Sequence, residues 1–447
     1  MESQQVGLAA KVAGFISELT FQDLPEKIVT DTKYRILDWV GCALAGIHTK
    51  PSQLAVAMAK ANGGKEQALL LREGVKVPLA QAAWANGLTG HVVEFDDGHR
   101  QAIAHPGSVT VPVALALAEC FGRSGKEFIA AVVAGYEVLI RLGIAVNPSH
   151  YKVWHTTATC GTFAAASVAS KLLNLDSRKT QMALGIAGTM SAGLQETFGT
   201  YAKPLNVGHA CQSGIQAALL AEQEFTGPED IIQGKKGFIA ATSSDREVTF
   251  LERIQDKEYM SDMAFYKMYS SCGHTHSPLD AVLAIMDEHE IAAENIKAVE
   301  VATYLISVEL TAELKNGSED EAKFSLPYCI ACALLFHKVT LNEFAADKLQ
   351  SRLITELAQK VRVIEDPEAT KAFPKRFAKV TITLQNGQII EKQVTAANDV
   401  PQYDRIEEKF MSLAMPGIDY STALKVKEMI LKMDELEDVS ALLWHLQ

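Results

Sequence analysis

Apolar residues recur at helical spacing from the first third of the chain onward. Between positions 24 and 46, Ile28, Val29, Ile36, Leu37, Val40 and Leu44 form one stripe, and Pro25 suits a first helical turn. Segments 111–118, 162–173 and 215–221 are rich in alanine and other small residues, which lets helices approach closely. Residues 1 to about 260 therefore predict helix after helix. The pattern changes near 265. Residues 296–304 alternate and are β-branched, and 361–364 form a short apolar run before the Asp366-Pro367 turn signal. In 379–394, Val380, Ile382 and Leu384 alternate ahead of Asn386-Gly387, which predicts a hairpin with a two-residue turn. Segments 278–290 and 324–336 between these strands read as helices, and a helical pattern returns near 403. The expected fold is mainly α with an α+β part. A large all-helical domain takes in 1–265 and 399–447. A smaller α/β domain, 266–398, is inserted before the C-terminal helices and is joined by two crossings, as a hinged lid would be.

A chain of 447 residues exceeds the roughly 250–300 that one core supports, which agrees with two domains. A net charge of −12 excludes a general nucleic-acid binder, which needs a basic face. It does not exclude an anionic small substrate held in a local positive pocket. The seven cysteines are an odd number among small or apolar neighbours, which predicts buried, reduced thiols and a reducing compartment. The N-terminal residues show no basic stretch followed by an apolar one, so no secretory signal is expected. The apolar run 128–140 contains Glu137 and falls short of the about 20 residues of a membrane span. A cytoplasmic protein without membrane contact is the expectation.

Four settings carry candidate chemistry. The first places His91, Glu94, Asp96, Asp97 and His99 just before His105, with Ser108 or Thr110 as candidate caps of the next helix. It reads either as a polar capping loop, as carboxylates orienting an imidazole, or as metal ligands. The second runs from Tyr151 to His155, ahead of a threonine-rich helix start. The third holds Lys203, with Asn206 as a plausible cap. The fourth holds His274 and His276 before Ser277-Pro278-Leu279-Asp280, a helix-start signature. His105, His155, Lys203 and His276 each stand at a predicted helix N-terminus, where free N–H groups favour carboxylates or phosphates. No glycine-rich phosphate loop or dinucleotide fingerprint accompanies them. Small polycarboxylates fit better than nucleotides.

At these segments the chain resembles the MmgE/PrpD family, which includes 2-methylcitrate dehydratase, cis-aconitate decarboxylase and iminodisuccinate epimerase. The resemblance runs from ILDWVGCALAG at 36–46 through EFDD at 94–97 and AHPGSVTVPVALALAE at 104–119. It continues in WHTTATCGTFAAA at 154–166, AKPLNVGHA at 202–210, THSPLDA at 275–281 and FSLPYCIACALL at 324–335. It implies a helical domain with a small α/β domain, usually as a homodimer. It also implies catalytic roles for His105, His155, Lys203 and His276. Asp96 and Asp97 lie nearby, and Tyr328 reaches in from the smaller domain. Beyond what the resemblance implies, Glu94 and Tyr151 are expected as further substrate contacts, and so is His274, as an addition to the family pattern. The family motif often begins with Asp where this chain has Glu94, and some decarboxylases carry a hydroxyl residue where it has Gly98.

The function expected is a cofactor-independent lyase, with no metal, acting on a small di- or tricarboxylate by proton abstraction next to a carboxylate. Dehydration and decarboxylation both use one base, one acid and a carboxylate clamp. So does an epimerase of a dicarboxylate such as iminodisuccinate. More distant alternatives are a metal-dependent hydrolase using His91, Asp96, Asp97, His99 and His105, and a helical binding protein without catalysis.

Overall fold

The computed structural model describes residues 7–394 and 402–447. The chain divides into two compact units. One holds residues up to 266 together with the C-terminal helices, and the other begins at Lys267. The crossing expected at 398 lies outside the described residues. The fold is mainly α with small sheets.

In the larger unit the predicted stripe becomes the helix Glu26–Gly46, and all six of its named apolar residues are buried. Helices Leu79–His91, Pro106–Phe121, Gly125–Val146, Thr156–Leu172 and Ala202–Glu222 pack into one core. Small residues set how close they come. A Cβ added at Gly214 would lie 2.5 Å from the backbone nitrogen of Ala166, so Ala202–Glu222 sits directly against Thr156–Leu172. Gly125–Val146 is long and apolar enough to cross a bilayer, yet it is buried inside the unit except for Lys126 and Glu127 in its first turn. Its two buried charges pair with each other, Arg141 Nε to Glu137 Oε2 at 3.0 Å. Glu137 also accepts from the backbone nitrogens of Met260 and Ser261.

Expectation and structure differ in several places. The unit is not all-helical: Ala68–Leu70 pairs with Val75–Val77, and Gly98–His99 with Ala264–Phe265, both antiparallel. These strands are too short to show a period in the sequence. Ser108 and Thr110 lie inside Pro106–Phe121 and donate back to the carbonyls of His105 and Pro106 rather than capping the helix. Asn206 lies inside Ala202–Glu222 and donates to Thr197 Oγ1.

The smaller unit is a four-stranded mixed sheet. In spatial order its strands are Val361–Glu365, Ile296–Thr303, Ala378–Leu384 and Ile389–Val394. The first pair is parallel and the others are antiparallel. Helices His276–Glu288 and Leu326–Phe336 pack on it around Val299, Val301, Val380, Ile382, Ile285 and Ile330. The predicted hairpin forms, but its turn is longer than two residues. Leu384 N donates to Gln388 O and Gly387 N to Leu384 O, with only Gly387 at positive φ, 87°. Ser277 is not the helix cap. A 3₁₀ turn, Gly273–Thr275, runs directly into the helix at His276, so Ser277 donates to Arg376 O and Asp280 accepts from Tyr269.

The seven cysteines form no disulfide; Cys120 is half-buried and the other six are buried. Buried charge is concentrated at Arg35, which donates to Asp31, Asp97 and the carbonyls of Ser261 and Ala264. Removing one member of a buried pair strands the others without compensation. Arg35→Met is expected to destabilise the fold by about 3–5 kcal/mol, read as a lowered urea midpoint. An unchanged midpoint would show that the two carboxylates do not depend on the guanidinium.

Candidate active site

The site grows from the loop 92–105, between helices Leu79–His91 and Pro106–Phe121. Residues 92–99 are all buried, so the backbone polar groups need partners from inside the protein. Lys409, from the helix Tyr403–Ala414, donates to Phe95 O at 2.6 Å and pairs with Asp38 at 2.6 Å. Asn147 donates to Ala102 O at 2.6 Å. Asp97 accepts from Arg35 at 3.0 Å, Tyr136 at 2.8 Å and Gly107 N at 3.0 Å. The sequence reading placed Asp97 among substrate contacts; with both oxygens engaged in this way, it anchors the loop. Gly98 is tight as well. An added Cβ would lie 3.0 Å from Phe265 Cζ, so the strand pairing leaves no ordinary room for a hydroxyl side chain there.

Held in this way, the loop brings His91, Glu94, Asp96 and His105 together with Lys203 and His155. Lys203 lies in the first turn of Ala202–Glu222. It pairs with Glu94 Oε1 and donates to His91 Nε2 at 3.0 Å. An ammonium only donates, so His91 Nε2 accepts and the ring proton sits on Nδ1, 2.8 Å from Asp96 Oδ2. Glu94 has φ 54°, a left-handed conformation uncommon outside glycine. His105 places Nδ1 2.6 Å from the carbonyl oxygen of Asp97. A carbonyl only accepts, so Nδ1 carries the proton and the neutral ring has its lone pair on Nε2.

His155 is the N-cap of Thr156–Leu172. Its ring lies 5.8 Å from that of His91 and edge-on to Phe198 at 5.2 Å. Burial, then Lys203 and His91, hold its imidazolium form well below the usual range. Its Nδ1 is buried without a hydrogen-bond partner among the described residues. Tyr151 is buried with its ring 6.0 Å from that of Phe198.

Three predicted site residues belong to the smaller unit. His274 Nδ1 lies 2.8 Å from Tyr304 Oη. His276 stands edge-on to Tyr269 at 5.0 Å. Tyr328 is fully buried in that unit's core and donates to Glu343 O at 2.8 Å, which ties its hydroxyl inside the unit.

His91, Asp96 and His105 bring one ligand atom each within 4.8 Å of one another, close enough to consider a metal. The hydrogen bonds argue otherwise. His91 is engaged at both nitrogens and His105 at Nδ1, and an ammonium 3.0 Å from His91 Nε2 repels a cation. His99 Nδ1 accepts from Ala102 N, and Asp97 is committed to Arg35. Sequence reasoning missed Arg35 and Lys409. The available signal was the Asp31/Arg35 pair at i, i+4 among otherwise buried helix positions.

Acid sensitivity follows from the histidines. Burial pushes His150 down to about 4, while the unfolded chain binds that proton near the ordinary value of 6.5. The neutral form therefore stabilises the fold fully above pH 6.5. That stability is lost as pH falls from 6.5 toward 4, about 3 kcal/mol in all for His150, and His155 acts in the same direction. The melting temperature is expected to fall across this window, less steeply for His150→Gln. Equal slopes for the two proteins would overturn the assignment for His150.

Residues 10–251 match the MmgE/PrpD N-terminal domain and residues 269–435 the MmgE/PrpD C-terminal domain. The chain is 26% identical to cis-aconitate decarboxylase of Homo sapiens over 438 residues, covering 94% of this chain and 90% of that protein. It is 26% identical to cis-aconitate decarboxylase of Aspergillus terreus over 471 residues, covering 98% and 95%. To 2-methylcitrate dehydratase of Escherichia coli (strain K12) it is 22% identical over 397 residues, covering 81% and 80%. With both domains matched across most of its length, the chain belongs to the MmgE/PrpD family.

Proposed function

We propose that the chain is a lyase acting on a small di- or tricarboxylate by proton transfer next to a carboxylate, without a cofactor. The observation that carries this reading is His155: a buried, neutral imidazole with an unpartnered Nδ1, beside the Lys203–His91–Asp96 cluster. A buried nitrogen left unpaired costs stability and calls for an explanation. A substrate proton or carboxylate supplies one.

In this reading His155 takes the proton next to a substrate carboxylate, and negative charge builds on that carboxylate. Lys203 stabilises the charge where it develops. His105, with its proton on Nδ1 in the neutral state, exchanges a second proton at Nε2. Dehydration then expels hydroxide from the neighbouring carbon with that proton. In decarboxylation no proton is taken first: the C–C bond to the departing carboxylate breaks, CO₂ leaves, and the electron pair left on carbon takes the proton that His105 carries at Nε2. The relatives named as cis-aconitate decarboxylases match more of the chain than those named as 2-methylcitrate dehydratases, which favours decarboxylation. Two imidazoles beside one ammonium also suit an epimerase of a dicarboxylate, which returns the proton to the opposite face.

The deciding experiment is NMR in D₂O with citrate, 2-methylcitrate, cis-aconitate, and tartrate- and aspartate-derived diacids. CO₂ loss, alkene formation and deuterium exchange with inversion separate the three reactions. No turnover of any acid, or stoichiometric metal with activity lost on chelation, would overturn the reading. His155→Gln and Lys203→Met are each expected to lower kcat by at least about 10²-fold. A near-normal rate in either folded variant removes that residue from the mechanism.

A further inference from the structure

We propose that His91 is a positioning residue that aims the Lys203 ammonium; the proposal rests on the lyase reading for its kinetic arm only. His91 ends the helix Leu79–His91 and is fully buried. Its ring accepts from Lys203 at Nε2, 3.0 Å, and donates from Nδ1 to Asp96, 2.8 Å. A neutral imidazole can accept an ammonium proton at one nitrogen while giving its own proton to a carboxylate from the other. Lys203 is thereby held from two directions, by Glu94 and by His91. The Phe198 ring stands 5.5 Å from its nitrogen.

Each partner has a separate task. Asp96 fixes the ring orientation and tautomer, because its Oδ2 requires a proton on Nδ1. The Nε2 lone pair then points at Lys203 and not away from it. Glu94, in its left-handed conformation, balances the ammonium charge in a buried setting. The arrangement pre-sets the direction of a charge that must meet a developing carboxylate, so little reorganisation is needed at the moment of reaction.

The first test needs no substrate. With ¹⁵N-histidine-labelled full-length protein, a long-range ¹H–¹⁵N spectrum is expected to show one ring protonated at Nδ1 with a lone pair at Nε2 between pH 6 and 8. That signal pair should vanish in His91→Gln. An Nε2–H tautomer or an imidazolium at His91 would overturn the proposal. The second test compares two variants. Glutamine at 91 carries its amide to about the place of Nε2 and can still accept from Lys203. Asparagine reaches only the place of Nδ1 and can satisfy Asp96 but not Lys203. His91→Gln is expected to stay within about 10-fold of the native kcat. His91→Asn is expected to fall by about 10²-fold, the size of a lost charge-stabilising contact, with KM changed little. Equal losses in both folded variants would reduce His91 to packing. If the native protein turns over none of the acids, the lyase reading fails while the tautomer measurement still decides the role of His91.

Discussion

A loop that runs through the interior of a helical unit must have its backbone polar groups met from inside, and residues 92–105 are such a loop. Bulk water does not reach a segment whose residues 92–99 are all buried, and side chains and a strand from elsewhere in the unit meet it. Lys409 serves Phe95, His105 and Arg35 serve Asp97, Asn147 serves Ala102, and Ala264–Phe265 pairs with Gly98–His99. These partners come from positions as far apart in sequence as 35 and 409. The residues that hold the loop therefore also hold Glu94, Asp96 and His105 where Lys203 can meet them. Buried ion pairs add little net stability when set against apolar replacements. Their contribution here is a defined geometry, because the loop has no regular hydrogen-bond ladder of its own to fix it.

The same burial decides the charge of the cluster. Glu94 and Asp96 bring acceptor carboxylates, Lys203 brings the ammonium, and His155 is neutral because its imidazolium form is disfavoured by burial and by Lys203. In the proposed reading, a substrate carboxylate entering this group competes with Glu94 for Lys203. Other positive potential is built into the backbone: His105 and His155 are the N-caps of Pro106–Phe121 and Thr156–Leu172, and helix N-termini favour anions. Two such ends beside an ion pair that can exchange partners suit a polycarboxylate better than a neutral ligand.

Much of this was legible in the sequence, and the parts that were not share a cause. Long amphipathic helices and the strands 296–303 and 378–384 follow from apolar period alone. So does the placing of His105 and His155 at helix starts. The two-stranded ribbons escaped because strands of two or three residues have no period. The caps assigned to Ser108, Asn206 and Ser277 failed for a related reason. Each sits inside a helix that begins earlier than its polar residue suggests: the His105 cap starts the helix of Ser108, a 3₁₀ turn runs into that of Ser277, and Tyr201 is the cap ahead of Asn206. Asn386-Gly387 promised a two-residue turn, but only Gly387 takes positive φ, so the turn lengthened. Arg35 and Lys409 were invisible as site residues because a single charge in a helical stripe reads as solvated. Only the tertiary fold shows that Asp97 and Phe95 wait for them.

The remaining question is why a stable core would keep a buried nitrogen unpaired at His155. Nearly every other group around it has a partner, and a threonine-rich helix start supplies hydroxyls close by. Thr157 receives His105 N and Thr159 meets His150 Nε2, yet neither turns to His155 Nδ1. Pairing it would have been chemically easy. Leaving it open fits a group whose partner is the transferred proton, since an internal bond would have to break at every turnover. An unsatisfied donor or acceptor costs about 1–3 kcal/mol, and leaving Nδ1 open keeps the imidazole desolvated and neutral. In the proposed reading that base, the ammonium beside it and the helix ends do not specify which bond breaks next, so the same residues are compatible with loss of water, loss of CO₂ or inversion. The choice among them rests with the groups that hold the rest of the substrate.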